Sequence, residues 1–320
     1  MNRFAALLLA GFGALTGALA STRALADDPP TNLEEVVVTG ERAGPGLWHV
    51  YKGSAQLWIV GAVSPLPKDM TWRSKQLETI LDSTDTLLVA KPFEIGVARA
   101  LWLLVTQRDL LMAGRGKKLK DVLPADLHAR FAVQRARYTK DADKWEKYRP
   151  IIAAAFLQED ALHAVGLSTR LDLTDEVRTL ARKHHVRVEE FKIGGFHDVL
   201  DALKVLPRET EEKCVAASLA TIETGMPRLI DRAQAWTTGD VGRIQSLPEA
   251  GEVAACRAAV MVDPGAGDLL QLLRQTWLEN MERHLQAGGV TLAVVNMDML
   301  IESGGFLDLL RAQGYNIDPP

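Results

Sequence analysis

Apolar residues fall in two rhythms along this chain. Short continuous runs rich in β-branched and aromatic side chains read as strands, and longer stretches with apolar positions three or four apart read as helices. "LWHVYK" (47–52) and "AQLWIVGA" (55–62) predict a hairpin turned at Gly53 and Ser54. "DTLLVA" (85–90), "VRVEEF" within 186–192 and "VTLAVVN" (290–296) predict three more strands, and "YNI" (315–317) a last short one. Proline at position 92 ends the pairing of the run at 85–90, because it has no N–H to give.

Between the strands the period lengthens. Residues 71–84 have helical spacing, and 93–165 read as almost wholly helical. Pro124 suits the first turn of a helix running to about Tyr138, and Gly166 suits the stop of the next one. Thr174 is the expected N-cap of a helix with acidic residues at its start and His184 and His185 at its end, as the helix dipole favours. Further helices are expected within 195–206, 208–224, 226–238, 252–261, 266–287 and 304–314. Strands alternating with longer helices give an α/β class with a helical insertion.

Composition narrows the function. The chain has 320 residues, 47% hydrophobic and 24% charged, enough for a sizeable core. A net charge of −4 argues against a nucleic-acid partner. The N-terminus has Arg3, an apolar run and "ALA" at 24–26, the pattern of a secretory signal peptide cut after Ala26. That divides the chain into a leader (1–26), an extended linker (27–45) and one domain (46–320), and implies a periplasmic or secreted protein. No later segment is apolar for long enough to span a membrane, so no transmembrane segment is expected in the mature chain. The two cysteines, Cys214 and Cys256, could pair in an oxidising compartment or remain as buried thiols on separate helices.

Three stretches carry a resemblance to a known family. "GPGLWHVYKGSAQLWIVGAVSPLP", "GLSTRLDLTDEVRTLARKHHVRVEEF" and "TLAVVNMDMLIESGGFLDLLRAQGYNI" together resemble the TraB/GumN family over roughly residues 45–317. The family opens with a Trp-containing hairpin that leads into a Gly-x-x-His turn. It closes with a strand, a second Gly-x-x-His, a Gly-x-x-Gly turn, a helix and a Gly-Tyr. The resemblance implies a TraB/erythromycin-esterase/ChaN-like central sheet flanked by helices. It also implies a metal-dependent peptidase or hydrolase site, with two histidines and one or two acidic residues near strand ends.

This chain departs from that pattern at the residues that matter. Gly61 stands, but Ser64 holds the first histidine position. Asn296 replaces the second glycine, and Met299 stands where the second histidine belongs. The acidic positions fall near Ala90 or Lys91 and near Lys192, with Glu189 and Glu190 close by. A hydroxyl, a thioether and an ammonium do not make a divalent-metal site. The expectation is therefore no metal and no other cofactor, and a non-catalytic binding or accessory protein. Its partner would be a small molecule, a peptide or an envelope protein. Gly61, Ser64, Lys91, Lys192, Asn296 and Met299 are the candidate ligand-binding residues.

An alternative is a hydrolase with rearranged groups: Ser64 as nucleophile, His197 as base, and Asp298 or Glu302 as the orienting carboxylate. Pro65 weakens it, since proline removes a backbone N–H that hydrolases often aim at the oxyanion. Should a metal be held after all, His49, His197, Glu189, Glu190 and Asp298 are where its ligands would be sought. Glu159 and His163, four apart on one helical face, are a weaker pair. "LEEVVVTGER" (33–42) resembles the TonB-box region of outer-membrane receptors, but an edge strand or extended arm is the plainer account. Trp102 and Trp236 are expected in the core.

Overall fold

The computed structural model describes residues 44–68, 75–90, 102, 106–141, 143–169, 173–192, 196–247 and 250–320. The expected leader, the Val run at 36–38 and Lys91 lie outside the described residues. Gly44 and Pro45, the end of the expected linker, are buried.

The chain opens with β1 (Leu47–Lys52), β2 (Ala55–Ala62) and the two-residue β3 (Leu66–Pro67), then α1 (Lys75–Leu81) and β4 (Thr86–Ala90). A largely helical stretch follows: α2 (Arg108–Leu111), α3 (Ala125–Tyr138) and α4 (Pro150–Ala164). Next come β5 (Leu167–Ser168), α5 (Leu173–Lys183) and β6 (Arg187–Phe191). The second helical stretch holds α6 (Phe196–Val205), α7 (Arg208–Ala220), α8 (Met226–Thr237), α9 (Val241–Ser246), α10 (Gly251–Met261) and α11 (Ala266–Ala287). The chain closes with β7 (Val290–Asn296), α12 (Met297–Ile301), α13 (Phe306–Ala312) and β8 (Asn316–Asp318).

Six strands form one mixed sheet in the order β6-β4-β7-β2-β1-β8. The four from β6 to β2 run parallel, and β1 is antiparallel to both β2 and β8. Pattern explains position. β4 and β7 are buried almost throughout and read as unbroken apolar runs, as strands covered on both faces must. β6 carries Arg187, Glu189 and Glu190 and sits at the edge, where charge discourages pairing with another chain. Its side chains alternate between the helical layers. Glu189 and Phe191 meet Arg283 and Trp277 of α11, and Glu190 meets Arg178 of α5.

The helical insertion has its own apolar core, built on Phe131, Leu157, Val215, Leu219, Ile222 and Met226. Buried ion pairs brace it. Glu211 of α7 accepts from Arg149 Nε at 2.9 Å and from the Ile151 N–H at 3.2 Å, while Arg149 Nη1 donates to the Leu203 carbonyl at 2.6 Å. Cys214 of α7 and Cys256 of α10 form a disulfide across a separation of 42 residues, which closes the alternative of two free thiols.

The helical reading of 93–165 needs correction. Residues 112–124 hold only a short 3-10 turn, and the described residues of 139–149 form a loop with Trp145 at φ 70°. That loop is pinned from inside: Glu146 is buried and bonded to Arg135 and His128, so polar residues there signal an internal network rather than a solvated helix. α5 begins at Leu173, which puts Thr174 inside its first turn rather than at its cap. Trp102, expected in the core, is 41% exposed. Trp236 is fully buried.

Removing one partner of a buried pair leaves the other charge without compensation. Glu211→Ala therefore lowers unfolding free energy by about 3–5 kcal/mol in urea titration, with no comparable loss for an exposed pair such as Lys213 with Glu209.

Candidate functional site

The carboxyl ends of the parallel strands lie along one edge of the sheet. Ala62 of β2 sits beside Asn296 of β7, and Ala90 of β4 sits beside Phe191 of β6. Ser64, Asn296, Met299 and Lys192 all follow these ends, so the topology places those candidates along one edge.

Gly61 lies in a crowded place. A Cβ there would lie 2.6 Å from Met297 Cε, 2.7 Å from its sulfur and 3.1 Å from Trp48 Cζ3. Its carbonyl accepts a 2.6 Å hydrogen bond from the indole N–H of Trp236. Beyond it Val63, Pro65 and Leu66 are buried, and Ser64 is left exposed. The turn is thus held by its apolar neighbours, and Ser64 makes no side-chain hydrogen bond with a described residue.

At the second strand end, Asn296 caps α12. Its side-chain oxygen accepts from the Met299 N–H at 3.1 Å, the usual work of asparagine at a helix start. Met299 packs its side chain against the main apolar core. The acidic residues that follow are taken by arginines. Asp298 accepts from Arg232 Nη2 of α8 at 2.7 Å, and Glu302 is paired with Arg274 of α11.

Within β6 a carboxylate is also paired with arginine. Glu189 accepts from Arg283 at 2.6 Å, and His284 Nε2 lies 3.3 Å from its other oxygen without hydrogen-bond alignment. The Arg283 hydrogen bond, working against burial and with the help of charge from His284 and Arg283, holds the Glu189 carboxyl below the usual range. Glu190 lies 3.2 Å from Arg178 Nε, and Lys192 is exposed.

The other candidates stand apart. His197 is exposed in the first turn of α6, a helix that packs on α2 and α11. No hydrogen bond joins it to Ser64 among the described residues, and the carboxylates of Asp298 and Glu302 point to arginines. His49 stacks between Trp58 and Tyr51, 4.2 and 4.9 Å from their ring centroids, with Asp318 3.7 Å from Nδ1. His163 lies 3.7 Å from Glu159, whose other oxygen accepts from Thr169. His184 binds Asp82 at 2.7 Å, and His185 ends its helix with φ at 59°. Among the described residues no cluster of three His, Cys, Asp or Glu side chains could hold a metal ion. The groups at the strand ends do not fit one either: a hydroxyl, a thioether packed into the core, and carboxylates bound to arginine.

A cleft of about 500 Å³ opens elsewhere, between Trp48, Val241, Leu300, Leu307, Arg311 and Pro320. Neither Ser64, Lys192, Met299 nor His197 lines it. Sequence reading missed this cleft and the three clamping arginines. Their partners are distant in sequence, and an arginine on a helix carries no local sign of where its guanidinium goes.

A mixed sheet whose four parallel strands run inward from one edge, flanked by helices and with a helical insertion, defines the class of α/β domain that the sequence pattern implied. A sequence model of the TraB/PrgY/gumN family matches residues 46–319, and the chain belongs to that family. No curated protein matches the chain. No solved structure matches it either.

Three outcomes follow from these contacts. Gly61→Ala forces Met297 and Trp48 apart and lowers stability by about 1–3 kcal/mol in urea titration. Asn296→Ala removes the α12 cap and costs about 1 kcal/mol by the same measurement. A carboxyl with a lowered folded pKa stabilises the fold above its unfolded pKa, and that contribution is lost as pH falls through the folded value. The stability gap between the native chain and Glu189→Gln is thus present at neutral pH and closes in strong acid.

Proposed function

We propose that this TraB-family domain works in the envelope as a binding or accessory protein and has lost the metal-hydrolase chemistry that the resemblance implies. The observation that carries the reading is the state of the carboxyl edge. Asn296 caps a helix, Met299 packs on the core, and Asp298 and Glu302 are each held by an arginine. Groups committed in this way are not free to bind a divalent ion or to hold a water for attack.

The export part of the reading is supported by the leader-like N-terminus and by the disulfide, which persists in oxidising compartments. The ligand would be a small molecule or a peptide segment taken at the cleft beside Trp48. Its volume of about 500 Å³ lies within the usual range for such sites.

The test is metal content and metal response. The chain from residue 27, purified without a histidine tag, is assayed for bound manganese, cobalt, nickel, zinc and iron by mass spectrometry. Each ion is then titrated while thermal unfolding is followed, since a ligand of the folded state alone must raise the midpoint. No stoichiometric metal and no rise is the expected result. A stoichiometric metal, or a midpoint that climbs with its concentration, overturns the reading.

A further inference from the structure

We propose that a cationic turn on the helical insertion docks this domain on an anionic lipid bilayer. The turn is at 114–117, and Arg115, Lys117, Lys120 and Lys147 are the side chains that meet the surface. The inference depends neither on the cleft beside Trp48 nor on the state of the sheet edge.

Two segments build the patch. The chain before α3 runs antiparallel to the chain before α4. The Arg149 N–H donates to the Leu111 carbonyl at 2.9 Å, the Ala113 N–H to the Lys147 carbonyl at 2.9 Å and the Leu119 N–H to the Glu146 carbonyl at 2.8 Å. Met112 and Tyr148 form an antiparallel bridge between them. Between these anchors the chain turns out and back. The Lys117 N–H donates to the Gly114 carbonyl at 3.3 Å, and Gly114 and Gly116 take φ of 123° and 71°, which glycine adopts without steric cost. The second segment is held at its base. The Trp145 indole N–H donates to Asp160 at 2.9 Å, and Lys144 pairs with the same carboxylate at 2.8 Å.

Charge is unbalanced on this protrusion. Arg115, Lys117, Lys120 and Lys147 are exposed, and none of them is in an ion pair with a described residue. Over 112–121 and 143–149 the exposed acids are Asp121 and Asp143. Both are engaged locally: Asp121 accepts from the Lys118 N–H at 2.8 Å, and Asp143 accepts from Lys118 Nζ at 2.6 Å. The Lys118 hydrogen bond and charge hold the Asp143 carboxyl below its usual range, and Lys147 adds to the effect, which puts Lys147 beside that pair. A chain with a net charge of −4 thus gathers cations that no carboxylate holds on one projecting turn and its base.

Shape selects the partner. Sites for small ligands are concave and converge a few polar groups on one point. This turn is convex: a Cβ on Gly116 would meet no atom within 4 Å. Lysines on a protrusion do not enclose a phosphate or a sugar carboxylate, but they can all face a plane of charge at once. Each basic residue near an anionic bilayer is worth roughly fivefold in binding. The attraction needs no fixed contact, so it tolerates the flexible stem of lysine. No described helix is long and apolar enough to cross a membrane, so the docking is peripheral.

The test is co-sedimentation of the chain from residue 27 with vesicles of phosphatidylglycerol mixed with phosphatidylcholine, set against vesicles of phosphatidylcholine alone. Binding is expected to the mixed vesicles only. It is expected to fall as salt rises from about 0.1 M to 1 M, where the screening length shrinks from about 10 Å to 3 Å. Arg115→Gln, Lys117→Gln, Lys120→Gln and Lys147→Gln together are expected to weaken binding by about a hundredfold or more. Arg115→Gln with Lys117→Gln, confined to the turn, is expected to weaken it by about twentyfold, and stands in should the larger variant fail to fold. A control that removes as much charge elsewhere, by Gln at the exposed Lys68, Arg182, Lys183 and Lys204, is expected to bind like the native chain. Equal binding to neutral vesicles, no binding to either kind, or a control that falls as far as the patch variant overturns the proposal. So does tighter binding to alginate, an acidic polysaccharide, than to the mixed vesicles, since the partner is then a polymer.

Discussion

One hydrogen bond joins the helical insertion to the central sheet where the two matter most to each other. The indole N–H of Trp236, fully buried on α8, donates to the carbonyl of Gly61 in β2. A Cβ at position 61 would press on the end of the Met297 side chain and on Trp48, so the space beside this contact is already filled. A buried carbonyl left without a donor is costly, so Trp236 and Gly61 constrain each other. Around this point the β2 exit, the start of α12 and the end of α8 hold fixed relative positions. The polar groups of the edge then fall within reach of their arginines.

The carboxyl edge of parallel strands is where α/β proteins place their chemistry. Here the acidic groups that follow β7 are paired with arginines. Arg232 reaches Asp298 from α8, Arg274 reaches Glu302 from α11, and Arg283 reaches Glu189 from α11. Two of the pairs tie the segment after β7 to α8 and α11, and the third ties β6 to α11. Arginine pairs, a helix cap and apolar packing hold this edge together.

The strands were legible because burial on both faces leaves no room for polar residues. β2, β4 and β7 match their expected runs to within a residue. The family was legible from the same runs, since its pattern is mostly strand, turn and glycine. α12 was not, because five residues are too few to show a helical period. The loop at 139–149 was misread because an internally bonded Glu146 and an exposed helical glutamate look alike in sequence. The clamps were invisible for a related reason: Arg232 and Asp298 are separated by 66 residues, and only the fold brings them together.

The central claim is that the acidic groups of the sheet edge serve the fold. Carboxylates kept for catalysis or ligand binding generally sit at a cost to stability, and neutralising them raises it. Carboxylates that hold arginines do the opposite. The most direct measurement is the thermal midpoint of the double variant Asp298→Asn with Glu302→Gln, set against the native chain at neutral pH. The account predicts a lower midpoint, as Arg232 and Arg274 lose their charged partners. A higher midpoint would contradict it and mark the pair as groups held for a ligand.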